Sequence, residues 1–192
     1  MTAPAQTAEP RAGLSTTAKL LIMLVLGAAV AVALGVYANQ HTPTGRKPYP
    51  LFFSGMIELK VWFATLALAL ACLQLLLAAR LYGKISIPKH EPAWLGDAHR
   101  LTGTLAFAVT LPVAYQCLWG LGFETMNTRV VLHGIFGCAF YGAFVIKVLG
   151  VRWKGLPGWV LPVAGGLVFA MLVGVFLTSA VWFFTSSSMA LF

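Results

Sequence analysis

Two histidines in this chain combine residue type and spacing in a way that points to chemistry. His99 and His133 are each followed four residues later by glycine, in His99-Arg-Leu-Thr-Gly103 and His133-Gly-Ile-Phe-Gly137. A spacing of four places both members on one face of a helix. An imidazole is an axial ligand for haem iron, and a glycine one turn away leaves room for a flat macrocycle against the backbone. Around His133, the residues Phe136, Gly137, Phe140, Tyr141 and Phe144 supply an aromatic wall at three- and four-residue spacing. Arg129 and Lys60, at the same level, are the cations that would meet propionates. The chemistry indicated is haem b, with His133 and His99 each as an axial donor to a haem of its own. The plainer reading is that each histidine bonds to a neighbouring group while the glycines serve close helix packing.

Each histidine needs a second ligand if its iron is to be six-coordinate. On the His133 side the candidates are Gln116, His41 and Met56; on the His99 side they are Met23 and the loop residue His90. His41 is the most apt chemically. Gln116 and its neighbour Tyr115 also read as interhelical hydrogen-bonding groups, and Glu58 and Lys60 as interface anchors. Cys72, Cys117 and Cys138 all lie inside apolar runs without paired spacing, which argues against a disulfide framework or a zinc or iron-sulphur site. They read as small buried hydrophobes.

These residues must be positioned by helices in lipid. The chain has 192 residues, 59% hydrophobic and 9% charged, far from the quarter-charged make-up of a soluble domain. A hydrocarbon core of about 30 Å needs about 20 apolar residues at helical rise. Five segments meet that length, at about 20–38, 58–82, 100–122, 130–151 and 159–184, so the predicted fold class is an all-α integral membrane bundle of five transmembrane helices. His99 then directly precedes the third helix and His133 is the fourth residue of the fourth. Pro112 is expected to disturb the third helix by removing a backbone donor. Gly165, Gly166 and Gly174 are expected to form a packing face on the fifth. Residues 1–16, rich in Ala, Thr and Pro, are expected to be a disordered cytoplasmic tail, with 17–192 a single transmembrane domain. The connection 39–55 is expected to be an ordered loop lying against the ends of the bundle.

Orientation follows from the basic residues. Arg11, Lys19, Arg80, Lys84, Lys89, Arg100, Lys147, Arg152 and Lys154 fall on one side, and Arg46, Lys47, Lys60 and Arg129 on the other. Cytoplasmic loops keep Lys and Arg, so the N-terminus is predicted inside and the C-terminus outside. The excess of positive charge therefore reads as a topology signal, and nucleic acid is not an expected partner. Trp62, Trp119 and Trp182 near one face, and Trp94, Trp153 and Trp159 near the other, mark both interfaces. Helices three and four run antiparallel with a histidine at each N-terminal end. His99 and His133 thus lie on opposite membrane faces and cannot share one haem.

The stretch Gly96-Asp-Ala-His99-Arg-Leu-Thr-Gly103, and His133 and Gly137 through Phe144-Val-Ile-Lys147, resemble the core helices of the cytochrome b-561 and ferric-reductase-like membrane haem proteins over residues 96–150. A closer likeness is to a small actinobacterial multi-pass membrane family of unsettled function, carried by Leu111-Pro-Val-Ala-Tyr115-Gln-Cys117-Leu and Tyr141-Gly-Ala-Phe144. That likeness implies pairing of the position of His133 with that of Gln116, where relatives often have histidine and this chain departs. The resemblance implies a b-type cytochrome-like electron-transfer subunit in a bacterial plasma membrane. It would pass electrons from a quinol or cytoplasmic donor to an acceptor at the outer face, as an oxidoreductase component, with an iron-sulphur or cytochrome c protein and quinone as partners. The alternative is a haem-free structural or assembly subunit of a respiratory membrane complex. A transporter is disfavoured because the helix interiors lack a midplane polar cluster.

Overall fold

The computed structural model describes residues 14–43, 50–87, 90 and 92–189. Helix α1 spans Thr16–Gln40, α2 Met56–Leu81, α3 Leu95–Tyr115 and α4 Thr128–Arg152. Helix α5, Val160–Phe176, continues through a π-helical turn at Leu177–Val181 into α6, Trp182–Met189. Helix α3 likewise widens into a π-helical segment, Gln116–Leu121, one turn after Pro112. Among the described residues, five continuous helices are long and apolar enough to cross a membrane. The chain is a multi-pass, all-helical membrane protein. Large apolar side chains such as Leu21, Val25, Val32, Leu76 and Val163 are exposed along the helices, which is where a bilayer would cover them.

Local chemistry sets the helix starts. The Ser15 side chain accepts from the Ala18 amide at 3.2 Å, and Asn127 accepts from the Val130 amide at 3.1 Å. Each satisfies an amide that the first turn leaves without a partner. Helix α3 begins at Leu95, five residues before the predicted start, so His99 sits inside the helix and not ahead of it. Because α4 begins at Thr128, His133 is likewise one half-turn deeper than predicted. Most of the predicted tail, residues 1–13, lies outside the described residues, but Thr16 at its end already belongs to α1. Of the connection 39–55, residues 44–49 lie outside the described residues. Phe53 packs edge-on against Phe63 with centroids 5.7 Å apart, while Phe52 is 82% exposed.

Neighbour contacts run α1 to α4, α4 to α5, α5 to α2, α2 to α3, and from the π-helical end of α3 back to α1, a closed ring of five helices. Two features close its tightest seam. A Cβ on Gly142 would lie 2.5 Å from the Gly27 carbonyl oxygen, so α1 and α4 cross nearly backbone to backbone, the small-residue packing that lipid-embedded helices favour. Beyond α3, Gly122 takes φ +76°, and the Phe123 amide donates to the Ala38 carbonyl at 2.8 Å, tying the α3–α4 connection to the end of α1. The predicted glycine face on α5 is corrected: Gly174 receives the Phe136 ring, 2.7 Å from where its Cβ would be, but Gly165 and Gly166 face open space.

The ring is filled at mid-height by Ala67, Phe140 and Leu172, with Phe107 and Tyr141 against them. Helices α3 and α4 do not approach closely. Their side chains bridge the gap instead: Phe107 stacks on Phe144 with centroids 4.0 Å apart, and the Tyr141 hydroxyl donates to the Thr110 carbonyl or hydroxyl oxygen at 3.2 and 3.0 Å. From this bridge His133 is eight residues away along α4 and His99 eleven along α3. At 1.5 Å rise per residue the two histidines are separated by roughly 28 Å along the axis.

Candidate functional site

Between the aromatic bridge and the His133 end of the bundle, the ring encloses a cavity of about 320 Å³ to which all five membrane-crossing helices contribute. Its wall is apolar, with Val61, Phe63, Phe140 and Leu172 among the lining side chains, and Tyr141 and Thr110 also border it. His133, Gly137, Cys117, Thr178 and Ser179 line it as well, as do Lys60, Glu124 and Arg129 from helix segments and the loop near that end. The volume is at the low end of small-molecule sites, about 300–1,000 Å³.

His133 is held by the neighbouring helix, through the π-helical turn that follows α5. Its Nδ1 lies 3.2 Å from Thr178 Oγ1, and the Thr178 hydroxyl in turn donates to the Gly174 carbonyl at 2.7 Å, with the Val175 carbonyl at 3.1 Å. Arg129, one turn before His133, donates to the Thr178 carbonyl at 2.7 Å and lies over the Trp182 ring, 4.1 Å from its centroid. A guanidinium stacked on indole gains a cation–π attraction. One histidine, one arginine and the π-helical turn of α5 therefore form a single bonded unit.

The predicted glycines have opposite surroundings. A Cβ on Gly137 would meet nothing within 4 Å, so one turn from His133 the backbone is open to the cavity. A Cβ on Gly103 would lie 2.9 Å from Gln74 Oε1. The space expected to receive a macrocycle beside His99 is taken by the Gln74 side chain, which donates to the His99 carbonyl and lies within hydrogen-bond distance of Thr102 Oγ1, 2.5 Å away. Gln74 is a buried amide, and a buried amide in lipid must find such partners. His99 Nδ1 is itself buried with no hydrogen-bond partner among the described residues.

The aromatic wall is likewise partial. Phe140 and Tyr141 line the cavity, whereas Phe136 turns to Gly174 of α5 and Phe144 to Phe107 of α3. None of the expected second ligands lines the cavity. Gln116 is buried, 2% exposed, elsewhere in the bundle. His41 stacks between Tyr37 and Trp119, at centroid distances of 5.1 and 6.2 Å. Met56 opens α2 outside the lining, Met23 is buried with its Cε 3.2 Å from where a Gly150 Cβ would be, and His90 is exposed. Among the described residues no three His, Cys, Asp or Glu side chains converge to hold a metal ion.

Residues missed by the sequence reading are Thr178 and Ser179, with Thr110, Cys117 and Glu124. The first pair had a signal: they are the polar residues that interrupt the apolar run from Val160 to Val181.

A sequence model of a protein family, described as a family of unknown function (DUF6529), matches residues 20–191. The chain belongs to that family. The match takes in all five membrane-crossing helices apart from the first turn of α1, and so the whole of the cavity. No curated protein and no solved structure matches the chain.

Haem b is the group to which the sequence points. An imidazole on an apolar cavity, an open glycine one turn along, and Lys60 and Arg129 beside the same space fit a haem held by one protein ligand. A pair of histidine ligands does not fit, because the second is absent from the cavity. Beside His99, the space next to Gly103 is occupied by the Gln74 side chain.

Proposed function

We propose that this protein is a membrane electron-transfer subunit of b-type cytochrome character, with His133 as the protein's axial donor to haem in the central cavity. The supporting observation is the bonded unit of His133, Thr178 and Arg129 on an apolar cavity. When bound, haem supplies one-electron exchange at its iron. The chain's own residues would do the rest. His133 donates a nitrogen lone pair, Phe140 and Leu172 exclude water, and Lys60 and Arg129 compensate negative charge near the mouth. On the positive-inside rule the cavity faces the outer side of a bacterial plasma membrane, where an iron-sulphur or cytochrome c protein would accept electrons that a quinol or a cytoplasmic donor supplies.

A reduced-minus-oxidised visible spectrum of protein purified after expression with ample haem is the test. A b-type difference spectrum is expected in the wild type and in His99→Ala, and its loss in His133→Ala. Protein that carries no haem under these conditions would sink the proposal. The second reading, a haem-free structural or assembly subunit of a respiratory complex, is favoured by one observation. None of the candidate second ligands lines the cavity, and His41 and Met23 are packed into other contacts, as they would be in a bundle whose histidines only bond to neighbours.

A further inference from the structure

We infer that Thr178 is a positioning residue, which holds His133 in the Nδ1–H tautomer and so reserves the Nε2 lone pair for an electron-pair acceptor in the cavity. That acceptor is haem iron on the reading just given, and the inference about the site's purpose rests on that reading. The tautomer is inferred from the bonds around Thr178. A threonine hydroxyl has one proton, and Thr178 commits it to the backbone carbonyls of Gly174 and Val175, at 2.7 and 3.1 Å. Toward His133 Nδ1, 3.2 Å away, Oγ1 is therefore left as an acceptor. On this assignment Nδ1 brings the proton, and the Val175 backbone, a further hydrogen-bond partner of the His133 ring, is a second acceptor on that helix. A neutral imidazole carries one N–H, so Nε2 is unprotonated.

The surrounding structure fixes this arrangement rather than leaving it to chance. Thr178 lies in the π-helical turn Leu177–Val181, a widening of the helix that often occurs at functional sites. Arg129 pins the same residue by its backbone carbonyl and stacks on Trp182, the residue that follows the turn. Both the hydroxyl and the carbonyl of Thr178 are thus engaged with α4. Had the histidine served packing alone, either tautomer would do; the committed hydroxyl selects the one that leaves a donor nitrogen. A hydrogen bond from the far ring nitrogen to an oxygen is also what orients and strengthens a metal-ligating histidine.

The experiment is nitrogen NMR on the purified full-length chain with isotope-labelled histidine, the His133 signal being assigned by its loss in His133→Gln. The expected result is a protonated Nδ1 and an unprotonated Nε2 on His133. Thr178→Val, which keeps the shape but removes the hydroxyl, should shift the ring toward Nε2–H, while Thr178→Ser should restore the wild-type pattern. Haem retention against an apo-globin acceptor is read in the same three proteins, with Thr178→Val expected to lose haem about 10- to 100-fold more readily. A wild-type His133 protonated on Nε2, or a Thr178→Val tautomer identical to wild type, overturns the inference. A wild-type pattern as expected in protein that never takes up haem removes the haem reading and leaves the tautomer assignment standing. Haem bound through His133 and retained equally by Thr178→Val removes Thr178 as its positioning residue and leaves the haem reading intact.

Discussion

At the scale of single residues, two glycines with the same relation to a histidine do different work. Gly137 opens onto the cavity, and Gly103 makes room for the amide of Gln74. Gly137→Leu is expected to fold normally and to fill the space beside His133, so haem uptake is lost while thermal stability holds. Gly103→Ala is expected to displace Gln74 from the His99 carbonyl and lower stability by about 1 kcal/mol, the cost of a buried polar group deprived of its partner. Unfolding of both variants in mixed micelles, alongside their difference spectra, separates the two roles. Tyr141→Phe removes the hydroxyl that joins α4 to Thr110 of α3. A polar contact between membrane helices is worth about 0.6 kcal/mol, so a loss of that size is expected in the same assay.

At the scale of elements, helix existence was legible in apolar run length, while register and contact were not. The predicted third and fourth helices lacked their first residues because Leu95–His99 and Thr128–Arg129 are too polar to count toward an apolar run, although they are helical. The glycines of α5 show the other limit. Three small residues in a sequence say that close packing is possible, and only Gly174 meets a neighbour. Gly142→Ala is expected to destabilise the bundle by about 1–3 kcal/mol, since its Cβ would press on the Gly27 backbone, which cannot rotate away. Gly165→Ala and Gly166→Ala are expected to stay within about 0.5 kcal/mol of wild type. Thermal unfolding monitored by circular dichroism in one detergent compares all three.

At the scale of the whole molecule, the five helices close a ring that is packed solid at mid-height and hollow toward one end, with the two histidines on opposite sides of the packing. The ends differ in charge. Lys19 at the start of α1 donates to the Lys154 carbonyl between α4 and α5, which brings those basic segments to one face. In a chain whose three cysteines are replaced by alanine, a cysteine at Glu124 is expected to react with a membrane-impermeant maleimide from outside intact cells, and one at Lys154 only after permeabilisation. The reverse pattern would invert the orientation. Class, span number and the axial separation of His99 from His133 were determined by the sequence alone, because lipid demands long apolar helices and consecutive spans must alternate in direction. Which side chains share a space was decided only by the tertiary structure. The ring order sets α5 beside α4, and a π-helical turn then aims Thr178 at His133 while Gln116, His41 and Met56 fall outside the cavity. Rotation of each helix about its axis depends on packing against residues distant in sequence. Apolar faces of similar composition on every helix give hydropathy no means of choosing among those rotations.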